Sequence, residues 1–285
     1  MRVAIPTFAT QSETFDYLRA NKSKIVAEKC FKPIKHDSSN GVHKVAVSKS
    51  HATKAKGELE VAEIEEGEIQ VSIIGNTFNW CDSQMDVLFA GCATKTIKEN
   101  GVKGKDLIYH LKDHDTCTDD RIGYLTDIYE KDFALSDLGL NMQGNTTCLV
   151  FDSLVKKELS EKLYIQYLDK KVKQHSIGLQ YVKIFMCIND PNDAEHFANW
   201  NKYFQFVINK EVITATGYFW AVTEIKLYEV SAVLWGSNEI TPTLEETEKE
   251  IEPTEVTQKE EPIIETITQK SVSEMIQSRK IIINV

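Results

Sequence analysis

The run from Tyr218 to Trp235 reads Tyr-Phe-Trp-Ala-Val-Thr-Glu-Ile-Lys-Leu-Tyr-Glu-Val-Ser-Ala-Val-Leu-Trp, and it constrains the fold more than any other stretch. Aromatic and β-branched residues dominate it, so the chain must place it as a long, largely buried strand. Glu229 stands inside this run. A carboxylate there is costly to bury without a partner, so the fold has to supply one.

Other β-prone stretches surround it. Leu59, Val61 and Ile64, then Ile69, Val71 and Ile73, fall mostly on alternate positions, as half-buried strands require. A third β region begins at Leu107-Ile108-Tyr109 and runs into His110-Leu111-Lys112-Asp113-His114-Asp115. Strand-like runs follow at Ile122–Tyr129 and near Leu138–Met142. In Gln174-His175-Ser176-Ile177-Gly178-Leu179-Gln180-Tyr181 a serine lies between a histidine and an apolar run, with a glycine two residues on that permits close approach. Adjacent strand residues point to opposite faces, so His175 is a poor partner for Ser176 and a remote histidine is needed.

Helices are expected at four places before the tail. Thr10 and Glu13 have capping-box spacing ahead of Phe15, Leu18, Ile25 and Val26, which predicts a helix over residues 11–29. Thr94 to Asn100 reads as a short helix stopped by Gly101. Asp152 caps an expected helix with Val155, Leu159 and Leu163 on one face, and Asp193 caps another with Phe197, Trp200, Phe204 and Val207.

With 285 residues, 42% of them apolar, the chain reads as mostly globular, and no run approaches the ~18 apolar residues of a membrane span. Met1-Arg2-Val3-Ala4-Ile5-Pro6 lacks the apolar core of a signal peptide, so an intracellular protein is expected. The six cysteines include no C-x-x-C pair, which suggests neither a zinc knuckle nor a disulfide framework; no cofactor is expected. A net charge of −10 argues against nucleic-acid binding.

Three groups stand out for chemistry: His114 in a polar turn, Ser176 on a strand and Glu229 on a buried strand. Serine-dependent peptide hydrolysis needs a base to take the hydroxyl proton and a third group to fix the base's tautomer. Glu224 is the second candidate for the acid and Ser231 for the nucleophile, although Ser231 shares a strand face with Glu229 and would leave the Ser176 stretch unexplained. His110 and His114, four apart among acidic residues, suggest a metal site only if that segment is helical. Cys117, close to His114, is a third nucleophile candidate, yet a free cysteine more often acts as a small hydrophobe.

The order of these motifs resembles a known family. His114-Asp115 followed by Ile122-Gly123, then His175-Ser176-Ile177-Gly178, then Leu227-Tyr228-Glu229-Val230-Ser231-Ala232-Val233 is similar to the prohead (capsid maturation) serine proteases of tailed bacteriophages. Asp82-Ser83-Gln84-Met85-Asp86-Val87 with Gly91 resembles that family's early motif, and the likeness spans roughly residues 68–242. It implies His114 as base, Ser176 as nucleophile and Glu229 as orienting acid. It implies an α+β fold similar to the herpesvirus assembly protease: a small, mainly antiparallel β-barrel wrapped by helices. The implied substrates and partners are the major capsid protein, scaffold polypeptides and the enzyme itself, inside the assembling prohead in the host cytoplasm, with a homo-oligomer allowed and neither nucleic acid nor membrane involved. An inert structural component of the shell with the same fold is the alternative.

The expected organisation is a helical, basic lead-in over residues 1–60, a protease domain over 61–243 with an insertion at 182–218, and a tail over 244–285. Between Leu244 and Lys270 nine glutamates stand against three lysines, with Pro253 and Pro262 breaking any helix, so a disordered acidic linker is expected. Ser271-Val272-Ser273-Glu274 then has capping-box spacing for a short terminal helix. A tether ending in Ile281-Ile282-Ile283-Asn284-Val285 reads as a docking peptide that self-cleavage between Thr243 and Lys280 would release.

Overall fold

The computed structural model describes residues 5–30 and 66–244. Within the compact unit Met1–Glu245, the chain forms α1 (Gln11–Lys29), β1 (Glu68–Thr77), β2 (Asp86–Leu88), α2 (Thr94–Asn100), β3 (Tyr109–Lys112), β4 (Arg121–Ala134), β5 (Asn145–Lys156) and α3 (Glu161–Leu168). It continues through β6 (Gln174–Ile188), α4 (Ala194–Tyr203), α5 (Lys210–Thr216), β7 (Tyr218–Val233) and β8 (Thr243–Leu244). The mixed α+β class expected from the sequence is what these residues adopt. The expected strand at 59–64, the basic lead-in beyond residue 30 and the tail from Glu245 onward lie outside the described residues. Among the described residues no helix is long and apolar enough to cross a membrane.

β7 is the axis of the sheet. One edge pairs with antiparallel β6 from Tyr218 to Val233; the other takes two short parallel strands, β2 against Trp220–Val222 and β3 against Glu229–Ala232. Beyond β3 the order continues through β4, β5, β1 and β8 by antiparallel pairing. The barrel expected from the resemblance is corrected here: the ladder is open between β6 and β1. The segment around Thr241 hydrogen-bonds to both sides of that gap, Ile74 N–H donating to Pro242 O at 3.0 Å and His175 N–H to Thr241 O at 3.1 Å.

Two local expectations also fail. Residues 145–156 form a strand rather than a helix capped by Asp152, because Thr146, Cys148 to Phe151, Ser153 and Val155 are all buried between flanking strands. The Asp152 carboxylate accepts from Ser72 Oγ at 2.6 Å, and the real helix starts at Ser160, whose hydroxyl caps Leu163 N. Around Leu138–Met142 the chain turns, Leu140 N–H bonding back to Leu135 O, so the strand begins only at Asn145.

The capping box at Thr10 and Glu13 forms as the spacing predicts, and α1 buries Phe15, Leu18 and Ile25 against Met186, Ile188, Tyr218 and Trp220. At its last residue, Lys29 Nζ meets Asp86 Oδ1 at 2.5 Å with both side chains buried, and Tyr181 donates its hydroxyl to Asp86 Oδ2 at 2.6 Å. Asp82, from the same motif, accepts from the backbone of Gln84 and Asp86, while burial and the neighbouring Asp86 push its carboxyl up to about 7. The Asp82–Val87 motif is therefore a turn that seats the N-terminal helix. Residues 182–188 of the expected insertion belong to the β6–β7 ladder, and the helical remainder contributes Trp200, Val207 and Ile213 to a core cluster with Phe219.

Inside the sheet runs a buried polar chain. His175 Nδ1 lies 3.0 Å from Thr241 O, which can only accept, so the proton is on Nδ1 and Nε2 accepts the Tyr167 hydroxyl at 2.9 Å. Tyr167 Oη then accepts from His110 Nε2 at 3.1 Å, and His110 Nδ1 accepts from Ser153 Oγ at 2.8 Å. Every member is satisfied with both imidazoles neutral. Burial and the neighbouring His175 lower His110 to about 3, and burial lowers His175 to about 4, against an ordinary 6.5.

Between pH ~6.5 and ~4 the unfolded chain binds protons at these histidines that the folded chain refuses, so stability falls with falling pH in that window. The loss is roughly 3 kcal/mol for His175 alone by pH 4. Urea titrations at pH 7, 5.5 and 4.5 should show it, with a smaller acid loss in His175→Gln; a flat profile would remove this account of the chain.

Candidate active site

The site is built on the opposite face of β7 from that histidine chain. Glu229 and Ser231, two apart on the strand, share a face. Across the β6 ladder Gly178 lies opposite Glu229 and Ser176 opposite Ser231, so all four positions converge on one side of the sheet. β3 runs along the other edge of β7, with Tyr109 opposite Glu229 and Leu111 opposite Ser231.

His114 arrives by a sharp reversal at the end of β3. Asp113 N–H still bonds to Ala232 O at 3.1 Å, after which Asp113 and His114 take φ values of 53° and 60° and Asp115 N–H returns to Lys112 O at 2.9 Å. Two successive non-glycine residues in the left-handed region are strained, and such strain persists only where the surroundings hold it. The restraints are visible: His114 N–H donates to Ser231 Oγ at 3.0 Å, and Lys112 Nζ pairs with Asp120 Oδ1 at 2.7 Å across the loop.

This turn aims the imidazole at the acid. His114 Nδ1 lies 2.7 Å from Glu229 Oε1, and Ser231 Oγ donates to Glu229 Oε2 at 2.6 Å. Glu229 is buried at 5% exposure, which answers the cost of a carboxylate in this strand: both oxygens are engaged. With the Nδ1 proton donated to the carboxylate, Nε2 is left with its lone pair, and the half-exposed ring can take a proton there.

Gly178 has a specific reason to be glycine. A Cβ built on it would overlap Glu229 Oε1, so the carboxylate lies directly over the bare backbone. Gly178→Ala should push Glu229 off the imidazole and lower any turnover by about 100-fold, as misplacing a catalytic group does. Turnover of the purified variant beside its thermal melt would check this; wild-type turnover would show that the carboxylate has another place to sit.

The two serines differ in what their hydroxyls are doing. Ser231 is fully buried, its single proton is committed to Glu229, and it accepts from His114 N–H. Ser176 is part-exposed, and its hydroxyl makes no hydrogen bond among the described residues. Of the two, Ser176 is the one whose O–H has no acceptor among the described residues, His114 included, and is left to be offered to a base. Glu224 pairs with Lys183 and with Lys95 at 3.5 Å, and the hydrogen bond from Lys183 holds its carboxyl below the usual range, so it is engaged elsewhere.

The helical condition on which His110 and His114 could pair as metal ligands is not met. The segment is a strand followed by a left-handed turn rather than a helix, and His110 turns inward to Ser153 and Tyr167. Among the described residues no cluster of three or more His, Cys, Asp or Glu side chains could hold a metal ion. His175 points into the core, as strand alternation predicts, and Cys117 is exposed in the loop after His114. The sequence reading missed the clamp made by Ser231 and the reason for Gly178. The signals for both are the Glu-x-Ser and Ser-x-Gly spacings on facing strands, which become informative once the register is known. No family model, curated protein or solved structure matches this chain.

Proposed function

We propose that this chain is a serine endopeptidase acting in phage capsid maturation. The observation that carries the reading is the pairing of half-exposed His114 with buried Glu229 at 2.7 Å, on the sheet face that also bears Ser176, whose hydroxyl has no partner among the described residues. Ser176 Oγ attacks the peptide carbonyl as His114 Nε2 takes its proton; the protonated imidazole then passes that proton to the leaving amine. Glu229 keeps the Nδ1 tautomer and stabilises the imidazolium while it lasts. Water repeats the cycle on the acyl-enzyme.

Capsid and scaffold polypeptides as substrates, the chain itself among them, and action inside the prohead are proposed from the motif order that resembles the prohead proteases. The relation to the herpesvirus assembly protease belongs to the same proposal; it is supported by the order of histidine, serine and acid along the chain, and the open sheet adds nothing to it. Reaction of the full chain with a serine-directed fluorophosphonate, followed by peptide mapping and intact mass beside Ser176→Ala, tests the reading. Label on Ser176, with tail loss between Thr243 and Lys280 in wild type alone, is expected. An unlabelled protein that leaves a capsid substrate whole would favour the inert shell component.

A further inference from the structure

We infer that Ser231 is a positioning residue of this site, acting on the base and the acid at once; the inference rests on the serine-protease reading. One oxygen does two things. As donor it holds Glu229 Oε2 at 2.6 Å, and as acceptor it holds the backbone N–H of His114 at 3.0 Å. The first bond sets the rotation of the carboxylate, which presents Oε1 to Nδ1. The second anchors the backbone of the residue whose side chain is the base, in the second of two consecutive left-handed positions.

The position suits this task. Ser231 lies within β7, between β3 and β6, with Leu111 and Ser176 opposite it on either side, so its backbone is held from both edges. Without its hydroxyl, Glu229 Oε2 would be buried beside no donor from this strand, and the carboxylate would be free to turn away from the imidazole. The left-handed turn would lose its link to the central strand, and strain of this kind needs such links to persist. The substitution would remove one oxygen and almost no volume. Its effect would therefore fall on geometry rather than on packing.

Two variants test it, Ser231→Ala and Ser231→Cys, the second slightly larger than serine and with only a weak donor. Each is expected to lower kcat by about 10- to 100-fold with KM changed by less than about twofold, because the lost interaction aligns the reacting groups and does not touch bound substrate. In a Ser176→Ala background, which removes self-cleavage, the downfield proton resonance of His114 Nδ1–H should shift or broaden when Ser231 is replaced. An unchanged kcat overturns the inference, and so does a fall in kcat with the resonance unmoved. Loss of fluorophosphonate label in Ser231→Ala with its retention in Ser176→Ala overturns it too, by making Ser231 the nucleophile. If wild type takes no label and cuts nothing while the resonance still moves in Ser231→Ala, the protease reading fails and the positioning of His114 by Ser231 stands.

Discussion

Ser176→Ala should abolish peptide-bond cleavage while leaving the melting temperature close to wild type, because the change removes one part-exposed hydroxyl that bonds to nothing else among the described residues. His114→Ala should also abolish cleavage, but with a lowered melting temperature, because it strips Oε1 of the buried Glu229 of its partner. A nucleophile and its base act as a unit, so each single variant is expected to lose about 10⁴-fold or more, and the double variant little beyond that. Glu229→Gln is the more informative change. The amide keeps the shape, but if its NH₂ faces Nδ1 it donates where the carboxylate accepts, forcing the imidazole proton onto Nε2 and removing the base. A loss of about 10³- to 10⁴-fold is expected. Cleavage of a capsid polypeptide by each variant at equal concentration measures all three, and native-rate cleavage by Ser176→Ala would transfer the nucleophile's role to another group.

The largest expected effect on stability is at the far end of β7, where α1 is seated. Lys29→Met would remove the cation at 2.5 Å from a fully buried Asp86, leaving the carboxylate with Tyr181 as its side-chain partner and with Asp82 close in sequence and charge. Breaking a buried pair from one side costs about 3–5 kcal/mol, a large part of what holds a domain of this size together. Lys29 also sits over the Trp220 and Tyr181 rings at 5.7 and 5.8 Å, contacts that a methionine stem only partly replaces. Asp86→Asn in the Lys29→Met background should recover part of the loss by discharging the orphaned group. Urea unfolding of the single and double variants would show this, and a loss below about 1 kcal/mol for Lys29→Met would mean that water reaches Asp86.

Much of the local structure was legible in the residues. The Thr10–Glu13 box started α1 where its spacing said, Asp193 capped α4 through His196 N, and Gly101 closed α2. The β-prone run after Tyr218 formed a single strand sixteen residues long. These are short-range effects: caps, φ preferences and side-chain alternation act within a few residues and survive almost any tertiary setting. The failures share a different origin. The spacing of Val155, Leu159 and Leu163 imitates a helical face, yet Val155 belongs to β5, Leu159 to a turn and Leu163 to α3, because neighbouring strands on both sides captured residues 145–156.

For the site, the sequence by itself determined the inventory: a histidine in a polar turn, a serine two residues before a glycine, an acid two residues before a serine on a run that must be buried. Tertiary structure alone decided which of these groups meet. His114 and Glu229 are 115 positions apart, and they meet because β3 lies parallel beside β7 and the chain then reverses through two left-handed residues. Ser176 faces the same way as Glu229 because the β6–β7 register puts it opposite Ser231, while the bulge after Gly178 shifts the pairing farther along. Register and bulges arise from pairing between distant segments, and a slip of one residue would turn every side chain to the other face. That is why the difference between the two serines, one without an acceptor among the described residues and one committed to the carboxylate, is a property of the fold and not of either motif.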